Sequence, residues 1–106
     1  MNFRERLHRE SAELKAQDIA TEADRAPVEL DQTSVGRLSR MDAMQQQAMA
    51  AANRRRRSAR LRAIQAALKR IDEDEFGWCQ ECGEEIARGR LDLDPTAALC
   101  VGCADR

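Results

Sequence analysis

Four cysteines near the end of the chain, Cys79, Cys82, Cys100 and Cys103, are its entire thiol complement. They form two Cys-x-x-Cys knuckles, Cys79-Gln80-Glu81-Cys82 and Cys100-Val101-Gly102-Cys103, with 17 residues between them. Each knuckle can turn two thiolates toward one ion, and a loop of that length can bring the two pairs into one tetrahedron. Four sulfur ligands fill the coordination sphere of zinc and leave no position for water. The chemistry this predicts is structural: one zinc ion that holds a fold. Two other uses of the thiols compete. A pair of disulfides suits a secreted miniprotein, but residues 1–20 are charged throughout and hold no apolar run of the signal-peptide kind. A thioredoxin-like redox pair needs a βαβ setting that this sequence lacks. The expectation is therefore a zinc site in a reducing compartment, the cytoplasm.

The rest of the chain must position these thiolates with little apolar material. Of 106 residues, 35% are charged and 3% aromatic, with one Trp, two Phe and no Tyr. Such a composition excludes a thick globular core and suits long helices with narrow apolar seams beside a metal-stapled knob. The 18 basic and 19 acidic residues leave a formal charge of −1, so overall charge gives no sign of a nucleic-acid binder. No segment nears the ~20 apolar residues of a membrane span.

Residues 2–25 read as one helix, rich in Glu, Arg, Ala, Leu, Lys and Gln, with Phe3, Leu7, Leu14 and Ile19 as a thin apolar side. Ala26-Pro27 ends it, and a turn at about 27–36 carries Pro27, Asp31, Thr33, Ser34 and Gly36. A second helix then runs to about Glu75. Its seam is Leu38, Met41, Met44, Ala48 and Ala51, continuing through Leu61, Ile64, Leu68 and Ile71. Two long helices with a short connector fold back on each other. The predicted fold is all-α: an antiparallel two-helix coiled-coil hairpin over 1–75 and a small four-cysteine zinc finger over 76–106. A dimeric coiled coil is the competing arrangement; the hairpin makes the chain a monomer.

Other features have bland and sharp readings. Arg54-Arg55-Arg56-Arg57, with Arg60 and Arg62, is the densest charge. It is either a solvated band paired with Glu10, Glu13 or Asp18, a surface for acidic helices of a partner, or a nucleic-acid contact. Trp78 is expected to pack over the zinc site, and His8 to lie on the surface. The run Asp72-Glu73-Asp74-Glu75 opposes the helix dipole and either sits near Arg88 and Arg90 or forms a contact with a partner protein. No nucleophile, acid–base pair or open metal position is present, so the chain reads as a non-enzyme.

The segment from Leu68 to Cys103 resembles the DksA/TraR family of bacterial regulators of RNA polymerase. The resemblance lies in Ala67-Leu68-Lys69-Arg70-Ile71, then Phe76-Gly77-Trp78-Cys79-Gln80-Glu81-Cys82-Gly83-Glu84-Glu85-Ile86, then Arg90-Leu91, Asp94-Pro95-Thr96 and Leu99-Cys100-Val101-Gly102-Cys103. Asn53 and Arg56 also match family positions. The resemblance implies a coiled-coil finger beside a zinc domain that binds RNA polymerase at its secondary channel and alters open-complex stability, without DNA contact.

Departures from the family pattern carry their own expectations. The family's tip motif, Asp-x-x-Asp-x-Ala, falls in register on Gly36, Ser39 and Met41, so both carboxylates are absent. The family's cations for guanosine tetraphosphate fall on Ala63, Asp94 and Ala104, the wrong charge for that anion. The sequence thus predicts a polymerase-binding transcription regulator that does not respond to guanosine tetraphosphate. Its rivals are a zinc-containing nucleic-acid binder using the arginine band, and an adaptor for a partner other than polymerase.

Overall fold

The computed structural model describes residues 2–22 and 37–105, with helices α1 (Phe3–Ala20), α2 (Arg37–Asp72), α3 (Arg88–Leu93) and α4 (Val101–Ala104). The expected turn at 27–36, including Gly36, lies outside the described residues. No strand occurs among the described residues; one isolated antiparallel bridge joins Trp78 and Glu85. No helix among them is long and apolar enough to cross a membrane.

The chain divides into two compact units, one of residues 1–12 and 61–106, the other of residues 13–60. In the first, the start of α1 runs antiparallel to the end of α2. Leu7 and Ser11 are buried there, as are Ile64 and Ala67, and Arg4 pairs with Asp72 at 2.7 Å. In the second, Arg57 of α2 reaches Asp18 of α1 at 2.7 Å and donates to the Thr21 hydroxyl at 3.0 Å. Of the three readings of the arginine band, pairing across the helices is the one realised at Arg57.

The seam differs from the sequence reading in instructive places. On α1 the inward stripe is Phe3, Leu7, Ser11, Leu14, Asp18 and Thr21, all buried or half-buried, with spacings of three and four. Two of its polar members, Ser11 and Asp18, hide it from an apolar periodicity count. Ile19, expected on the apolar side, is 74% exposed, because it lies one position off the stripe. On α2 the seam is buried at Ile64 and Ala67, while Met41, Met44 and Ala48 are exposed. An apolar side chain is buried only where a neighbour lies alongside, and none of the described residues covers these three.

Helix α1 ends at Ala20 and α2 at Asp72, short of the expected residue 25 and Glu75. The stop of α2 has a local cause. Glu75 N–H bonds to Arg70 C=O at 2.8 Å and Asp74 N–H to Ile71 C=O at 3.3 Å, with Asp74 in the left-handed region at φ 59°. This is the Schellman arrangement, which satisfies the last helical carbonyls and turns the chain sharply. Glycine usually occupies that position; Asp is among the few other residues that tolerate it.

The acidic run therefore forms a helix stop. Asp72 pairs with Arg4 and Glu73 approaches Lys69, while Arg88 and Arg90 pair elsewhere, so the first of the two readings of the run is not realised. Arg88 pairs with Asp92 and stacks over the Phe3 ring, 4.8 Å from its centre. Arg90 donates to the Leu99 carbonyl at 2.9 Å. His8 is exposed, as expected.

Candidate metal centre

From the α2 stop the chain enters the first knuckle through Phe76-Gly77-Trp78. Gly77 has φ 91°, and a Cβ there would sit 3.8 Å from Leu91 Cδ1, so the backbone conformation rather than crowding demands glycine. Cys79 N–H donates to Glu84 C=O at 2.7 Å and Gly83 N–H to Cys79 C=O at 3.0 Å. Gly83, with φ 76°, closes this tight loop and aims the Cys79 and Cys82 sulfurs the same way. Ile86 N–H returns to Gly77 C=O at 2.7 Å.

The stretch between the knuckles reads as a loop in the sequence but contains α3, whose Leu91 is buried. Its signal was faint: Ile86 and Leu91, five apart, with Gly89 and two arginines between them. After α3, Asp94-Pro95-Thr96 forms a clamp. Asp94 Oδ1 accepts from Thr96 N–H at 3.0 Å and from its hydroxyl at 2.7 Å, and Pro95 is wholly buried. Three arginines then grip main-chain carbonyls: Arg6 of α1 holds Asp92, Arg70 of α2 holds Thr96, and Arg90 of α3 holds Leu99. Gln80 N–H bonds to Ala98 C=O at 2.8 Å and ties the first knuckle to the approach of the second. Cys100 then caps the four-residue α4, whose third residue is Cys103.

The result brings all four predicted cysteines together. Their sulfurs lie within 4.8 Å of one another, and Cys82 Sγ is 3.7 Å from Cys100 Sγ. A tetrahedron with Zn–S bonds of ~2.3 Å has sulfur–sulfur edges of about 3.8 Å. A disulfide would need ~2.05 Å, and all four thiols are free. The cluster fits one structural zinc ion.

Cys79 and Cys103 are buried and join Ile86 and Leu91 in a small core flanked by Phe3, Phe76, Ala97 and Leu99. Cys82 is exposed. The thiols do not titrate alike. The Cys82 and Cys100 amides directed at Cys79 bring its thiol down to about 6. The adjacent Cys100 and Cys79 sulfurs push Cys103 up to about 12. Cys82 is raised too: the Glu84 amide pulls it down, but the neighbouring Cys79 and Cys100 sulfurs, with some loss of solvent, outweigh it. Sulfurs this crowded cannot all be anionic unless a cation lies among them, which is what a divalent ion supplies.

Trp78 departs from expectation. It is 49% exposed and forms one wall of a cleft with Phe3, Phe76 and Arg88, while the Phe3–Phe76 ring pair, 5.3 Å between centres, does the packing assigned to Trp78. Of the three positions where the resemblance implies cations, Ala63 is half-buried on α2, Asp94 sits in the clamp and Ala104 is exposed on α4.

The model of the prokaryotic DksA/TraR C4-type zinc finger matches residues 74–106. The solved structure of transcription factor DksA2 from Pseudomonas aeruginosa superposes with a TM-score of 0.78 at 30% identity, covering 98% of this chain and 78% of that one. The chain belongs to the DksA/TraR family. Among curated members, the RNA polymerase-binding transcription factor DksA of Haemophilus influenzae is 49% identical over 51 residues, 48% of this chain and 35% of that protein. Its counterpart in Escherichia coli K12 is 41% identical over 51 residues, 48% of this chain and 34% of that protein. The match thus spans about a third of the curated relatives' length.

Proposed function

We propose that this chain is a non-catalytic transcription regulator that binds RNA polymerase at its secondary channel and alters the stability of promoter open complexes. One observation carries the reading: the likeness to a DksA-type transcription factor extends over 98% of the chain, helices as well as zinc finger. In this reading residues 1–75 form the hairpin, with its turn at about 27–36, and residues 76–106 form the finger. Cys79, Cys82, Cys100 and Cys103 ligate one zinc ion whose role is to hold the finger together. The protein acts in the cytoplasm as a monomer and makes no direct contact with nucleic acid. The pairing of Arg57 with Asp18 supports that last point, since it withdraws one cation from the arginine band.

Guanosine tetraphosphate adds nothing to the effect in this reading, because Ala63, Asp94 and Ala104 offer no cation and Asp94 is committed to Thr96. The tip differs as well. Gly36 and Ser39 stand at positions where the resemblance implies carboxylates, and Met41 is 54% exposed where it implies alanine.

Transcription reconstituted with purified polymerase tests the proposal. The chain should change open-complex lifetime at a promoter sensitive to this family, equally with and without guanosine tetraphosphate, using polymerase that lacks its other site for the nucleotide. Gly36→Asp, Ser39→Asp and Met41→Ala together should shift the effect toward that of acidic-tip members while binding stays unchanged. An unaltered open-complex lifetime for both proteins would refute the reading, and a nucleotide response would refute its finer part.

A further inference from the structure

The unit of residues 13–60 contains a cavity of about 280 Å³ whose lining includes Gln46, Met49, Ala50, Asn53, Arg54 and Arg57. Its chemistry is lopsided. Between Asp42 and Asp72 the sequence holds eight basic residues and no acidic one, so this stretch of α2 carries a positive field. Two of those cations, Arg54 and Arg57, are three residues apart and line the cavity together.

Their states differ. Arg57 is pinned: its side chain is 13% exposed, its Nε donates to Asp18 and one Nη2 hydrogen goes to Thr21, which leaves its other N–H groups for a ligand. Asp18 balances that charge. Arg54 is half-buried, and its guanidinium has no partner among the described residues. Asn53 is oriented by Arg56, whose Nη2 donates to Asn53 Oδ1, so the free end of the Asn53 amide is the donor end. The cavity therefore offers guanidinium and amide N–H groups, one positive charge that no described residue pairs with, and an apolar side at Met49 and Ala50.

We propose that this cavity binds a small oxyanion of the phosphate class, held by Arg54, by the remaining N–H groups of Arg57 and by the Asn53 amide. Planar guanidinium groups match the oxygens of phosphate pairwise. The volume exceeds that of a bare phosphate and lies near the ~300 Å³ lower end of small-molecule sites, so there is room for the organic part of a phosphomonoester beside Met49 and Ala50. The inference goes beyond polymerase binding and requires no polymerase, so its failure and the failure of the functional reading are separate results.

Isothermal titration of the zinc-loaded full chain at fixed ionic strength tests it, with inorganic phosphate, adenosine 5′-monophosphate and adenosine as probes. Both phosphate probes should bind and adenosine should not. Tighter binding of the monophosphate assigns the site to an organic phosphate, and equal binding to free phosphate. Arg54→Gln should weaken binding at least about tenfold. Arg55→Gln removes the same charge from an exposed position outside the lining, and should change binding by no more than about twofold. Circular dichroism checks that α2 is intact in both variants. Equal weakening by the two substitutions would mean diffuse charge attraction and overturn the site. So would an Arg54→Gln chain that binds like the parent, or a parent that takes up an acidic peptide but neither phosphate probe.

Discussion

Replacing Phe3 with alanine should loosen the zinc-bearing unit, although Phe3 lies 76 positions before the first metal-site cysteine. The Phe3 ring is half-buried, tilted against Phe76 with 5.3 Å between centres and capped by the Arg88 guanidinium at 4.8 Å. Truncating a fully buried Phe costs about 3–5 kcal/mol, so a half-buried one loses roughly 2 kcal/mol of transfer and cavity energy. The ring pair contributes about 1 kcal/mol beyond area. The cation stack adds about 0.5 kcal/mol, at the low end because the Arg88 side chain is 77% exposed. Phe3→Ala should therefore cost about 3.5 kcal/mol, and Phe3→Leu about half of that. Trp78 is the only Trp in a chain without Tyr and shares a cleft with Phe3, so its fluorescence in urea reports this unit directly. The zinc-saturated protein should show a lower urea midpoint with an unchanged slope. Phe3→Ala and Phe76→Ala should be less than additive by about 1 kcal/mol. An unchanged midpoint, or full additivity of the two, would show that the start of α1 does not brace the finger.

Four further outcomes follow from the same geometry. Asp18→Asn and Arg57→Met should each destabilise the chain by about 1–2 kcal/mol in urea, because the pair is partly buried, and the double substitution should cost less than the sum. Asp74→Gly should stabilise by about 0.5–1 kcal/mol and raise the melting temperature, since glycine takes the left-handed position without strain and a carboxylate leaves a helix C-terminus. Cys82→Ser, or a chelator, should release zinc and disorder the Trp78 environment while far-ultraviolet circular dichroism keeps most of its helical signal; a fully ordered Trp78 in metal-free protein would contradict the structural role. Zinc affinity should fall as pH falls, because protons compete for the four sulfurs.

The metal cluster was legible in the sequence because ligand identity and spacing are local. Two Cys-x-x-Cys knuckles, with Gly83 closing the first, require no knowledge of the rest of the chain. The two long helices were legible for a similar reason, in the absence of Gly and Pro across residues 2–25 and 37–72. What stayed hidden depends on partners distant in sequence. Ser11 looks like a surface residue yet is buried, and Asp18 looks like one until Arg57 is set beside it. Ala67 is fully buried and the larger Leu68 only half-buried, which a count of apolar size cannot anticipate. Trp78 was the natural candidate to pack there, yet it is exposed, and Phe3 packs against the core of Cys79 and Cys103 from the far end of the chain. The carbonyl grips of Arg6, Arg70 and Arg90 were invisible for the same reason, since main-chain acceptors leave no mark in a sequence.

Competition for core RNA polymerase tests the central claim most directly. Fluorescently labelled Escherichia coli DksA is first bound to the purified enzyme, and the zinc-loaded chain is then titrated in at physiological salt. If this protein occupies the secondary channel, it displaces the labelled DksA completely and with one-to-one stoichiometry, and its Cys82→Ser variant does so more weakly. Polymerase that retains all of its labelled DksA at saturating concentrations of the chain would contradict the account.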